Sequence, residues 1–185
     1  MKLHIFGASG SGTTTLGEHL AAKLRWKHLD TDDYYWKPTD PPYLQKIPLS
    51  LRTARITSDF KQHNEVIISG SMVSWGKQWE SVFDLAVFLY IPHAIRMERL
   101  RKREFERYGN VLTTDKAAIS RFEAFLGWAS RYDDETFDGR SISTHQKWMD
   151  RLNCPILRIE GDTTITERMD LVLDKIKVIG HCKGL

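Results

Sequence analysis

The run Gly7-Ala8-Ser9-Gly10-Ser11-Gly12-Thr13-Thr14-Thr15 follows the pattern G-x-x-x-x-G-K-S/T at every position but one. Thr13 stands where the lysine belongs. Such a loop constrains the fold because it works only between a buried strand and an amphipathic helix. Lys2-Leu3-His4-Ile5-Phe6 reads as the strand, and Leu16, Leu20 and Leu24, with Ala21 beside them, mark the buried face of the helix. The glycines let the backbone turn tightly so that successive N–H groups point inward, and the helix N-terminus adds its partial positive charge. Gly7 through Thr15 are therefore the candidate phosphate-binding residues, and the Thr14 hydroxyl is placed to ligate Mg²⁺ between phosphates. A lysine at position 13 would lie about 4 Å from phosphate oxygens, worth about 4 kcal/mol at an effective dielectric near 20. Threonine supplies none of that charge. Either another cation reaches the phosphates, or the site binds nucleotide without transferring phosphate.

The rest of the chain alternates strands and helices. Lys27-His28-Leu29-Asp30 is a second strand, and the prolines at 38, 41, 42 and 48 mark an irregular loop. Ser50 can cap a helix running to about Asn64. Glu65 to Gly70 and Leu85 to Ile91 are buried strands, the second closed by Pro92 and followed by a basic helix to Tyr108. Ala118, Phe122, Phe125 and Ala129 recur at helical spacing, Thr144 to Leu152 reads as a short helix, and Pro155 to Ile159 is the last strand. Thr164 and Glu167 form a capping box opening a helix whose Ile165, Met169, Val172 and Ile176 face the core. Five strands, each followed by helix, predict an α/β fold with a parallel sheet covered by helices on both faces. Ligands of such sheets bind beyond the carboxyl ends of the strands.

Chemistry-bearing residues gather at those ends. Asp30-Thr31-Asp32 closes the second strand; one aspartate can hold hydrated Mg²⁺ while the other accepts a proton from a substrate hydroxyl. A helix cap is the plainer alternative. Arg96, Arg99, Arg103 and Arg107 form one stripe along the basic helix, and residues 93–107 carry a surplus equal to the chain's whole net charge of +3. Arginines chelate phosphate in a planar fork and stack on purines, so the stripe can supply what Thr13 does not. Arg121, Arg131 and Arg140 can come over the phosphates from a lid spanning about 93–140. Ser71 and Trp75, after the third strand, are candidates for an acceptor pocket, although Trp75 and Trp79 equally suit helix packing. Arg52 and Arg55 share a helix face and can grip an anionic acceptor. His145 and Cys154 give a faint nucleophile signal that packing explains better.

These pieces resemble the adenylate kinase and shikimate kinase branch of small P-loop kinases, most closely the adenylate-kinase-related kinases of unassigned acceptor. The likeness covers nearly the whole chain. It rests on the loop at 7–15, the D-x-D at 30–32, the fourth strand running into Ile91-Pro92, and Arg99-Leu100-Arg101-Lys102-Arg103, which looks like the R-x-x-x-R opening the adenylate kinase lid. It implies a three-layer P-loop fold with a helical lid, ATP and Mg²⁺ as cofactors, and transfer of the γ-phosphoryl group to a small-molecule or nucleotide acceptor. By that likeness Arg99 stacks on adenine, Arg103 reaches the phosphates, and Gly161-Asp162-Thr163 forms the adenine-side loop. Asp30 holds Mg²⁺ through water and Asp32 faces the acceptor. Two departures narrow the acceptor. The arginine and the G-F-P-R run that grip AMP are replaced by Asp33-Tyr34-Tyr35-Trp36 and Gly70-Ser71-Met72-Val73, and the G-G-G run of shikimate kinases is absent. The competing expectation is a catalytically weak or inactive nucleotide-binding module.

Bulk properties agree with one domain over residues 1–185, monomeric or homodimeric. A hydrophobic fraction of 41% and six tryptophans suit a globular chain, and no stretch is apolar enough for a membrane span or a signal peptide. Cys154 and Cys182 lack metal-ligand spacing and read as free thiols of a cytoplasmic protein. No aromatic platform or fold signature accompanies the basic residues, which argues against nucleic acid as a partner.

Overall fold

The structure, a computed structural model, describes residues 1–182, the side chain of Cys182 excepted. Its first strand, β1 (Lys2–Gly7), is central because all but one of its residues are buried, which only the middle of a doubly covered sheet allows. Around it lie β2 (Lys27–Asp30), β3 (Val66–Ser69), β4 (Leu85–Tyr90) and β5 (Ile156–Glu160), in the spatial order β2-β3-β1-β4-β5. Every pairing is parallel, with Ile5 opposite Ser69 on one side and Val87 on the other.

The period-two alternation of each strand divides the core. Leu3, Ile5, Ile67, Leu85, Val87 and Leu89 face α1 (Thr13–Leu24) and α8 (Ile165–Cys182), meeting Leu16, Leu20, Val172 and Ile179. Phe6, Val66, Ile68, Ala86 and Phe88 face the opposite side, where α3 (Leu49–Gln62) contributes Ile56 and Phe60 and α7 (Ile142–Met149) contributes Trp148 and Met149. Trp75 and Trp79 lie in this second core, each 2% exposed, so packing is what their spacing signals. A third, smaller cluster joins Met97 and Leu100 of α4 (His93–Tyr108) to Ala129 and Phe125 of α6 (Lys116–Ser130). These helices, with the short α5 (Val111–Thr114) between them, form the lid.

Several boundaries differ from expectation. The third helix starts at Leu49 behind Pro48 rather than at Ser50, whose hydroxyl makes no cap. A five-residue helix, α2 (Thr31–Tyr35), follows directly on β2; no periodicity is readable over so short a span. α7 begins at Ile142 under a Ser141 cap, two residues before Thr144. The Thr164–Glu167 box forms in both directions, with the Thr164 N–H donating to the Glu167 carboxylate at 2.7 Å and the Glu167 N–H donating to the Thr164 hydroxyl at 3.2 Å. No helix among the described residues is long and apolar enough to cross a membrane.

Candidate functional site

A cavity of about 1370 Å³ opens beyond the carboxyl ends of β1, β2 and β3, roofed by α4 and α6. Clefts that hold one drug-sized ligand run to about 300–1,000 Å³, and this one is larger. All of the residues 7–15 line it except the buried Ser11. Gly10 and Gly12 hold φ of 82° and 88°, the left-handed region, and a Cβ on Gly10 would sit 2.9 Å from the Arg96 carbonyl oxygen and 3.0 Å from Leu100. Gly12 is the N-cap of α1 and makes no side-chain cap, and the first turn carries no acid. The N–H groups of that turn are thus unneutralised and aimed at the cavity, the arrangement that takes an anion.

The D-x-D serves as cap and as site residue at once. Asp30 accepts a hydrogen bond from the Asp32 N–H at 2.9 Å, which starts α2, and another from the Thr14 hydroxyl at 2.6 Å, which ties α2 to the phosphate loop. The donor set fits Mg²⁺: a hydroxyl and carboxylates, hard oxygens beside a phosphate cradle. Among the described residues no three His, Cys, Asp or Glu side chains converge on a cation, and Mg²⁺ needs only one or two protein ligands when phosphates and water complete its shell. The Asp32 carboxylate lines the cavity and is held above the usual carboxylate range, first by desolvation within the cavity walls and then by Asp30, with Arg140 and Arg103 pulling it back.

The arginine stripe divides. Arg96 is fully buried: it donates through Nε to the Ile91 carbonyl at 3.0 Å and through Nη2 to Asp133 at 2.7 Å, and it lies over the Tyr132 ring. It is a structural tie between α4 and the end of α6 and reaches no phosphate. Arg99, Arg103 and Arg107 do line the cavity, joined by Arg121 and Arg140. Arg99 pairs with Asp162 of the loop after β5, where Gly161 holds φ of 91°; neither Gly161 nor Asp162 lines the cavity, whereas Thr163 and Thr164 do. Arg103 and Arg107 share the nearly buried Glu104, at 2.7 and 3.3 Å. Arg131 turns away to Asp134 and the Phe137 ring.

The residues expected to line an acceptor pocket are placed differently from expectation. Ser71 is buried beneath the cavity wall, bonded to His145 Nε2 at 3.1 Å, while Tyr132 bonds Nδ1 at 2.7 Å. That enclosure keeps His145 neutral, its pKa far below the ordinary value. Burial pushes the Cys154 thiol up to about 11. Trp75 and Arg52 sit one layer back: the guanidinium stacks on Tyr35 at 4.1 Å and on Trp75 at 4.8 Å. Arg55 is exposed beside Tyr34. The wall itself is Tyr35, Trp36, Tyr43 and Lys46, brought in by a bridge between Trp36 and Lys46. Burial pushes the Tyr35 phenol up, yet Arg52 and Lys46 outweigh it and leave the group below its ordinary value.

One residue escaped the sequence reading altogether. Arg168 on α8 is 4% exposed, lines the cavity, and donates to the Ser11 carbonyl at 2.8 Å and the Thr163 hydroxyl at 2.9 Å. Its signal was present: it falls between Ile165 and Val172 at the spacing of the apolar stripe, a cation on a core-facing position.

Residues 4–115 match the family described as an AAA domain. The chain is 44% identical over 173 residues to the uncharacterized protein YqaC of Bacillus subtilis (strain 168), covering 94% of this chain and 96% of that one. Shikimate kinase from Bacteroides thetaiotaomicron superposes with a TM-score of 0.58 at 14% identity, over 96% of this chain and 98% of that chain. A gluconokinase from Sinorhizobium meliloti 1021 gives 0.52 at 13% identity, over 97% and 93%. These two share the fold, that of the small P-loop kinases. With its phosphate loop, sheet order and lid in place, the chain belongs to the AAA domain family of P-loop proteins.

Proposed function

We propose that the protein is an ATP- and Mg²⁺-dependent kinase that transfers the γ-phosphoryl group to a hydroxyl of a small acceptor carrying an anionic group. The observation that carries this reading is that the phosphate loop and Asp32 open on one cavity and are joined through the Thr14–Asp30 bond. The N–H groups of Gly10 to Thr14 cradle the phosphates. Thr14 and Asp30 would hold Mg²⁺, which would supply positive charge against the phosphates. Arg99 and the Gly161-Asp162 loop hold the base side. Asp32 orients the acceptor hydroxyl and takes its proton as the new oxygen–phosphorus bond forms; its raised pKa suits it to that task better than an ordinary aspartate. Arg103 and Arg121 balance the charge leaving on the β-phosphate. The anionic acceptor is supported by Lys46, Arg52 and Arg140, which among the described residues have no carboxylate at ion-pair distance, whereas Arg99, Arg103 and Arg107 all do. Arg52 acts from behind Tyr35, while Ser71, Trp75 and Arg55 are assigned to supporting the acceptor wall. The protein acts as one unit of residues 1–185, monomeric or homodimeric, in the cytoplasm.

The test is ADP release with Mg²⁺–ATP across neutral, carboxylated and phosphorylated alcohols, for wild type and Thr13→Lys. Turnover confined to anionic alcohols is expected. A second reading, a binding module without catalysis, is favoured by Thr13 alone. Tight ATP binding with no ADP release from either protein would establish it and refute the kinase.

A further inference from the structure

Resting on the assignment of residues 7–15 to nucleotide phosphates, we propose that Arg168 replaces the absent loop lysine, bracing the loop from behind and providing its fixed positive charge. Three observations converge. The guanidinium lies directly against the loop: Nη1 donates to the Ser11 carbonyl at 2.8 Å, and a Cβ on Gly12 would come within 3.2 Å of the same nitrogen. Nη2 is buried and has no hydrogen-bond partner among the described residues. No carboxylate is within ion-pair distance either; Asp162, the acid in electrostatic reach, is engaged by Arg99.

A buried cation with no counter-charge is costly and persists where an anion completes it. The anion this site is shaped for is the nucleotide's phosphate chain, in the cavity that Gly12, Thr13 and Arg168 all line. The Ser11–Gly12 peptide transmits the effect. A charge-assisted bond to its carbonyl polarises the amide, making the Gly12 N–H a stronger donor toward the cavity. The bond from Nε to Thr163, at 2.9 Å, locks the guanidinium plane and links the base-side loop to the phosphate loop. Position 13 can then be a threonine because its charge arrives through position 168. Arg168 is a positioning residue, since it acts through the loop.

The experiment is calorimetric titration of ATP, ADP and AMP into wild type, Arg168→Met, Arg168→Gln and Arg168→Lys, each with and without Thr13→Lys. A role through phosphate charge predicts that Arg168→Met weakens ATP at least tenfold, ADP less and AMP least. Arg168→Lys should retain most of the affinity, and Thr13→Lys should restore ATP binding more in Arg168→Met than it improves the wild type. Should Arg168→Met fail to fold, Arg168→Gln, which keeps a neutral donor to Ser11, carries the same test. Equal losses for all three nucleotides, or no extra gain from Thr13→Lys, would overturn the proposal while leaving the nucleotide site standing. A wild type that binds none of the three would refute the loop assignment and this inference together.

Discussion

Arg96 and Arg99 are one helical turn apart, and replacing each by methionine should have opposite consequences. Arg96→Met strips Asp133 of its partner and leaves the Ile91 carbonyl without its buried donor, while the Ala129 carbonyl keeps the Arg131 N–H. Breaking a buried pair by removing one member costs about 3–5 kcal/mol. Asp133 is 30% exposed and recovers part of that from water; the orphaned Ile91 carbonyl adds back about 1–3 kcal/mol of desolvation. The two adjustments offset, so the net loss stays near about 3–5 kcal/mol, a fall in Tm of at least about 6 °C for a chain of this length. Arg99→Met breaks a pair in which both side chains are more than a third exposed, so stability should change by less than about 1 kcal/mol, while nucleotide affinity drops. Urea and thermal unfolding of both variants, with ATP titration beside them, decide it. A Tm for Arg96→Met within about 3 °C of wild type, about 1 kcal/mol, would refute the division of the stripe into a structural and a ligand-facing part.

Three further outcomes are expected. Asp32→Asn should lower turnover at least about a hundredfold, the lower end for general base catalysis, with ATP affinity retained. Because the native carboxyl titrates above its ordinary value, its ionisation opposes folding at pH 7, and Asp32→Asn should unfold at the same temperature as wild type or higher; a lower Tm contradicts the assignment. The acid limb of the wild-type pH–rate profile should fall through a pKa above about 3.9, the ordinary aspartate value. His4 is buried as the neutral ring with a pKa near 4 against 6.5 unfolded, so its contribution is complete above pH 6.5 and lost as pH falls toward 4. At pH 5 that is about 2 kcal/mol of stability, measurable by urea unfolding, and His4→Phe should flatten the dependence. Gly10→Ala forces a Cβ to 2.9 Å from the Arg96 carbonyl at a φ of 82° and should abolish nucleotide binding; unchanged binding would show the loop conformation to be unnecessary.

The parts of the fold written in local pattern were legible in the sequence. Strand alternation in Leu3 to Phe6, the loop that follows, and the Thr164–Glu167 box each depend on neighbours a few residues apart. What was not legible depends on partners distant in the chain. Arg96 differs from Arg99 only because Asp133 and Tyr132 enclose it, thirty-six and more residues away. Ser71, in the loop after β3, has the pattern of a cavity hydroxyl, but its partner His145 lies on a helix 74 residues further on. Lys46 joins the site through its bridge to Trp36, in a segment with no periodicity. Arg168 sits 157 residues from the Ser11 carbonyl it serves, so no local rule could pair them.

In the proposed reaction, one cavity both holds a nucleotide and passes its phosphoryl group to an anionic alcohol. Incubating the protein with Mg²⁺, a mixture of small hydroxy compounds and ATP labelled with heavy oxygen in the γ-phosphate, then resolving products by mass spectrometry, tests it most directly. The account predicts labelled phosphate in an ester of a carboxylated or phosphorylated compound, and its disappearance in Asp32→Asn. Label found only in intact ATP, or only in inorganic phosphate, would contradict it.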